Sequence, residues 1–243
     1  MLTRRRFLAL ASASVPALAG QRARTGDSRL RARPAPPMLG VTPGDHPLGL
    51  DARRDGLLRV PASYKPGNPA PLAVLLHGAG GRSQRIVSLL GVAESLGVVV
   101  LAPESRGVTW DVIRGDYGPD VEFINRALES AFQRVAVDPR RIAVGGFSDG
   151  ATYALSLGLD NGDLFTHILA FSPGFIATRQ PHGRPRIFVS HGKQDEVLPI
   201  ASTSRRVVPA LEEARYQVTY REFDGPHAVP PSIAHEAFTW FAR

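Results

Sequence analysis

Arg141-Ile142-Ala143-Val144-Gly145-Gly146-Phe147-Ser148-Asp149-Gly150 is the stretch that decides the fold of this chain. The apolar run Ile142-Ala143-Val144 leads directly into Gly146-x-Ser148-x-Gly150, and the small-residue stretch from Ala151 to Leu159 that follows reads as a helix. A strand that ends in Gly-x-Ser-x-Gly and turns at once into a helix holds its serine at the tip of a sharp turn, with the hydroxyl clear of the backbone. Glycines two positions either side let strand and helix pass without Cβ clashes, while the serine takes a strained conformation. The motif alone is common. Its setting between an apolar strand and a helix makes Ser148 a candidate nucleophile rather than a serine of a glycine-rich loop.

From about residue 55 the chain alternates strand and helix. Gly56 to Pro61 reads as an early strand, and Leu72-Ala73-Val74-Leu75-Leu76 as one buried on both faces. Ser83 to Leu96 has helical period and ends at Gly97; Val98 to Ala102 is the next strand. Pro119 to Val135 sets Val121, Ile124, Leu128 and Phe132 along one helical stripe, with proline suited to the first turn. After the Ser148 turn come strands at Ile168–Phe171 and Ile187–Ser190, a helix near 202–214, a strand near 218–223 and a helix from about 231 to 241. Strands separated by helices imply right-handed crossovers, hence an α/β fold: a mostly parallel twisted sheet with helices on both faces. Functional residues are then expected at the carboxyl ends of the strands. The stretch from Ser172 to Arg186 is too short for a large lid domain, so an open site is expected.

A serine hydroxyl is a poor nucleophile without a base, and the base needs an acceptor to fix its tautomer. Asp195 fits the acceptor, in the loop His191-Gly192-Lys193-Gln194-Asp195 just past a strand. Glu196 is adjacent, while Asp160 and Asp163 fall at the end of the helix after Ser148. Of seven histidines, His227 fits the base, in Asp224-Gly225-Pro226-His227 just past the last strand. His46 and His77 precede the serine, His167 opens a strand, His182 lies in a Pro/Arg-rich loop, His191 sits before the acid and His235 falls inside the final helix. An oxyanion hole needs two backbone N–H groups. One is expected from Asp149. The other is expected from the loop His77-Gly78-Ala79-Gly80-Gly81, as the amide of Ala79 or of Gly80, with His77 holding the loop. Trp110, Tyr117 and Phe175 fall in loops where they could line a substrate pocket, plain packing being an even alternative.

The formal charge of +7 is unevenly spread. Residues 1–19 contribute +3 through Arg4, Arg5 and Arg6; residues 20–47 contribute another +3, leaving only +1 for 48–243. With no basic stripe on the domain, nucleic acid is not an expected partner. The absence of cysteine excludes disulfides, thiolate metal sites and a thiol nucleophile. No His-x-x-x-His pair or carboxylate cluster implies a metal, and no cofactor is expected. Thr3-Arg4-Arg5-Arg6-Phe7-Leu8, a mild apolar run to Leu18 and Ala17-Leu18-Ala19 read as a twin-arginine export signal over 1–19, cut near Ala19. The expected partner there is the export machinery, and the expected location periplasmic or extracellular. Residues 20–47, rich in Arg and Pro, read as a disordered spacer, and 48–243 as one catalytic domain.

From Arg54 onward the chain resembles α/β-hydrolase serine esterases of the phospholipase/carboxylesterase group, with poly(3-hydroxybutyrate) depolymerase-like esterases close by. The resemblance rests on Arg54-Asp55-Gly56-Leu57-Leu58-Arg59-Val60-Pro61, Leu75-Leu76-His77-Gly78-Ala79-Gly80-Gly81, Asp120-Val121-Glu122-Phe123-Ile124, Val137-Asp138-Pro139-Arg140-Arg141-Ile142, the Ser148 motif, His191-Gly192-Lys193-Gln194-Asp195 and Gly225-Pro226-His227-Ala228-Val229-Pro230. It implies an α/β-hydrolase fold and a cofactor-free Ser-His-Asp hydrolase at Ser148, His227 and Asp195. One departure stands out: the group often carries Gln or Asn after the nucleophile, and this chain has Asp149. The expected substrate is a small or soluble carboxylic ester. A polyester or a feruloylated polysaccharide is the alternative within enzymes, and a noncatalytic binding protein of the same fold the alternative outside them.

Overall fold

The computed structural model describes residues 26–89 and 91–243. The export signal expected over 1–19 lies outside them.

Eight strands form one sheet: β1 (Gly44–Pro47), β2 (Gly56–Val60), β3 (Ala70–Leu76), β4 (Val99–Pro103), β5 (Val137–Phe147), β6 (His167–Phe171), β7 (Arg186–Gly192) and β8 (Val218–Phe223). Their order is β1-β2-β4-β3-β5-β6-β7-β8, with β1 and β2 antiparallel and β4 through β8 parallel. The helices are α1 (Ser83–Leu89), α2 (Val92–Ser95), α3 (Pro119–Arg134), α4 (Asp149–Asp160), α5 (Ser204–Glu213) and α6 (Pro231–Ala242), with a 3₁₀ turn at Asp111–Arg114. This is the α/β-hydrolase fold, and no lid domain stands over the sheet among the described residues.

Successive side chains of a strand face opposite ways, so a sheet covered on both faces needs apolar residues at every position. Strand β3 is buried throughout. Leu72, Val74 and Leu76 join the core cluster that includes residues of α3, α4 and α5. Ala73 and Leu75 join the second cluster, which includes residues of α1, α2 and α6. The carboxyl ends of β3, β5, β7 and β8 therefore open at one rim of the sheet, each followed by one of the loops singled out in the sequence.

Two expectations are corrected. The single helix read over 83–96 is two short helices broken at Gly91, a residue with poor intrinsic helix propensity. The segment read as a disordered spacer is ordered over its described part, residues 26–47. Leu30 and Ala32 are buried, and β1 pairs with β2. Composition missed this because the segment is held by polar partners elsewhere in the chain. Asn161 Oδ1 accepts from the Leu30 N–H and its Nδ2 donates to Ser28 O, both at 2.8 Å. Asn125 Oδ1 accepts from the N–H groups of Arg31 and Ala32 at 2.7 and 2.8 Å. Asp163 takes ion pairs from Arg29 and Arg33 at 2.8 and 2.6 Å.

Candidate active site

Ser148 joins β5 to α4 at φ 60°, a left-handed value rare for a residue with a side chain. The crowding of the turn explains why glycines flank it. A Cβ on Gly150 would stand 2.1 Å from Leu76 O, and one on Gly146 2.5 Å from the same oxygen. Ser148, almost wholly buried, lines a cavity of about 700 Å³ together with His227, His77, Gly78 and Ala79. Ile86, Leu89, Val197 and Val229 add apolar wall.

His227 Nδ1 donates to Asp195 Oδ2 at 2.6 Å. With the proton on Nδ1, Nε2 is an acceptor, the state a general base needs. The Phe147 ring lies against the imidazole, centroids 4.6 Å apart. Asp195 also accepts from the amides of Val197 and Leu198 at 3.0 and 2.8 Å. Burial acts to raise the Asp195 pKa. The Leu198 amide and the His227 hydrogen bond outweigh it and hold the carboxyl below its usual value. Two of the other acids weighed in the sequence are engaged elsewhere: Asp160 accepts from the amides of Arg179 and Gln180, and Asp163 binds Arg29.

One residue the sequence reading set aside belongs to this cluster. His191, at the end of β7, brings Nε2 to 3.1 Å from Asp195 Oδ2 and 2.8 Å from Leu198 O. Its Nδ1 lies 2.7 Å from Ser204 Oγ. Two oxygens face Nε2, so Nε2 carries the proton and Nδ1 accepts from the serine. Burial pushes the His191 pKa down, which keeps the ring neutral.

The turn at Gly78–Gly81 leaves the two candidate amides in different states. Gly81 N–H donates to Gly78 O at 3.0 Å, and Gly80 takes φ +64°. Gly80 N–H is spent on Val108 O at 2.8 Å, which corrects the expectation that it could serve an oxyanion. Ala79 N–H has no acceptor among the described residues. His77 Nε2 accepts from the Ser105 N–H at 3.1 Å, so its proton sits on Nδ1, which donates to Gly78 O at 2.8 Å. Burial lowers the His77 pKa, consistent with a neutral ring. The Gly78 carbonyl and the Ala79 N–H belong to one planar trans peptide and point opposite ways. Two donors on that carbonyl therefore aim the Ala79 N–H away from themselves. Asp149 N–H lies in the first turn of α4, where a helix leaves its amides unpaired and its dipole favours negative charge.

None of the three aromatic residues expected at a substrate pocket lines the cavity that holds Ser148. Trp110 and Tyr117 are buried core residues rather than pocket lining: both rings pack on Tyr153 of α4, and Trp110 Nε1 donates to His77 O at 2.8 Å. Phe175 is exposed but lies outside the lining of the cavity that holds Ser148.

Residues 121–237 match the protein family described as Phospholipase/Carboxylesterase. A putative esterase, NocK, of Nocardia uniformis subsp. tsuyamanensis is 29% identical over 165 residues, covering 60% of this chain and 48% of that protein. Feruloyl esterase C of Emericella nidulans is 26% identical over 156 residues, covering 60% of this chain and 57% of that protein. The chain thus spans about half the length of the curated relatives it matches. Among solved structures, esterase PE8 aligns at TM-score 0.63 and 20% identity over 78% of this chain and 98% of its own. A carboxylesterase of Bacillus cereus aligns at TM-score 0.57 and 20% identity over 71% and 87%. At these identities the structures speak to the fold.

Proposed function

We propose that this α/β-hydrolase-fold chain, similar to the phospholipase/carboxylesterase family over residues 121–237, is a serine esterase that cleaves carboxylic esters through an acyl-enzyme. The observation that carries the reading is the shared cavity: a serine held at positive φ opens onto the same space as a histidine already hydrogen-bonded to a buried carboxylate.

Ser148 Oγ attacks the ester carbonyl carbon while His227 Nε2 takes the hydroxyl proton. The carbonyl oxygen becomes an oxyanion between the N–H groups of Ala79 and Asp149. Asp195 stabilises the imidazolium and holds its orientation. Collapse of the tetrahedral species breaks the bond to the leaving oxygen, which His227 protonates, and the alcohol departs. Water, deprotonated by His227, then attacks the acyl-serine and releases the acid.

Apolar walls at Ile86, Leu89, Val197 and Val229 suit an acyl or aryl group of modest size, and a sheet with no lid domain over it among the described residues suits soluble esters. Feruloyl-type esters are the second reading, supported by the feruloyl esterases among the relatives. Ser148→Ala is expected to remove at least about 10³-fold of the turnover of p-nitrophenyl butyrate and all labelling by a fluorophosphonate, with the melting temperature preserved. Undiminished turnover in that variant overturns the assignment. Methyl ferulate in the same assay separates the two substrate classes.

A further inference from the structure

Three consecutive residues, 108 to 110, each reach the machinery assembled around Ser148. Val108 O accepts the Gly80 N–H at 2.8 Å. Thr109 Oγ1 donates to Asp149 Oδ2 at 2.5 Å. Trp110 Nε1 donates to His77 O at 2.8 Å. One short segment thus ties together the turn that presents the Ala79 amide and the residue that presents the second amide.

The middle contact bears on the chemistry. Asp149 offers its N–H to the oxyanion and carries a carboxylate on the same residue. A negative charge so close to a developing negative oxygen raises the barrier unless it is turned away and hydrogen-bonded. Asp149 is half-buried, and its side chain is not part of the cavity wall around Ser148. Its Oδ2 is engaged by Thr109 instead.

We infer that Thr109 is a positioning residue of the esterase reaction: its hydroxyl holds the Asp149 carboxylate outside the cavity where the oxyanion forms, so that the amide acts without its own side chain opposing it. The inference rests on the hydrolase reading above. It assigns a task to a residue that touches neither substrate nor triad, and it accounts for how an acid is tolerated directly after the nucleophile.

A double-substitution cycle on the full chain tests it, with p-nitrophenyl butyrate as substrate. Thr109→Val keeps the shape and removes the donor. It is expected to lower kcat by about 10- to 100-fold while KM moves by less than about threefold. Thr109→Ser keeps the donor and is expected to stay within about threefold of the wild type. The decisive arm is Asp149→Asn combined with Thr109→Val: with no carboxylate to restrain, kcat should fall within about threefold of Asp149→Asn alone. An unchanged kcat in Thr109→Val overturns the inference. So does a loss of the same size in the Asp149→Asn background, which would make Thr109 a purely structural tie. Should Thr109→Val not fold, Thr109→Ala runs the same cycle. A wild type that neither turns over the ester nor reacts with a fluorophosphonate overturns the hydrolase reading and this assignment with it. An active wild type with a flat cycle overturns Thr109 alone.

Discussion

At the scale of single residues, the Asp195 carboxylate accepts hydrogen bonds from two backbone amides and His227, and His191 Nε2 stands 3.1 Å from it. Only His227 moves a proton in the proposed reaction. His191 is fully buried, burial holds its ring neutral, and its Nε2 faces the same Oδ2 that His227 engages. His191→Leu would remove the imidazole beside Asp195, leave Leu198 O with only the long 3.5 Å bond from Thr203 Oγ1, and leave Ser204 Oγ short of a partner. Each such buried group costs about 1–3 kcal/mol. The expected result is a lower unfolding free energy in urea and a fall in kcat/KM of about tenfold, because the carboxylate loses its fixed orientation. The positions of Ser148, Asp195 and His227 were legible in the sequence, since chain order and strand ends place them. The role of His191 was not, because it depends on Ser204 at the head of α5, thirteen residues further on and invisible to motif reading. Trp110 and Tyr117 misled for a related reason. Flanking Gly and Asp mark a loop, but nothing local says that the loop turns its rings inward onto Tyr153.

At the scale of elements, the tightest fit is where α4 crosses the end of β3. The first turn of α4 lies so close to Leu76 O and His77 O that any side chain at position 150 meets main-chain oxygen. Backbone cannot swing aside as a flexible side chain can. Gly150→Ala is therefore expected to cost at least about 3 kcal/mol, read as a fall in the denaturation midpoint or as loss of soluble protein. The same crossing sets Ser148 against the turn at 78–81, so the packing that forbids a methyl group also places Ser148 and Ala79 on the wall of one cavity. The alternating strands and helices were legible because a sheet buried on both faces leaves continuous apolar runs. Their limits were less so. Strand β5 runs back to Val137 through Asp138-Pro139-Arg140, which look like a turn, because its early part pairs only at Val137 with Ala70 before a register shift.

At the scale of the whole molecule, two arginines of the basic N-terminal segment have a structural destination among the described residues. Arg29 and Arg33 converge on Asp163, and the hydrogen bonds from Arg29 hold that carboxyl down to about 2. An acid whose folded pKa is lowered adds stability above its ordinary value and loses it as pH falls toward the lowered one. Asp163 is part-exposed, so the contribution is modest, about 1 kcal/mol after screening. Asp163→Asn should thus be less stable than the wild type at pH 7, and the gap should close between about pH 4 and pH 2. A gap that persists at pH 2 would show that the arginines act by packing alone. The binding of residues 28–33 to Asn125 and Asn161 carries a practical warning for anyone trimming the gene. A shortened product starting at residue 48, the boundary composition suggests, would strip two asparagines of their partners, bare the seats of Leu30 and Ala32, and turn β2 into an uncovered margin open to sticking. Such a fragment should precipitate or melt early even though every residue around Ser148 is still in it.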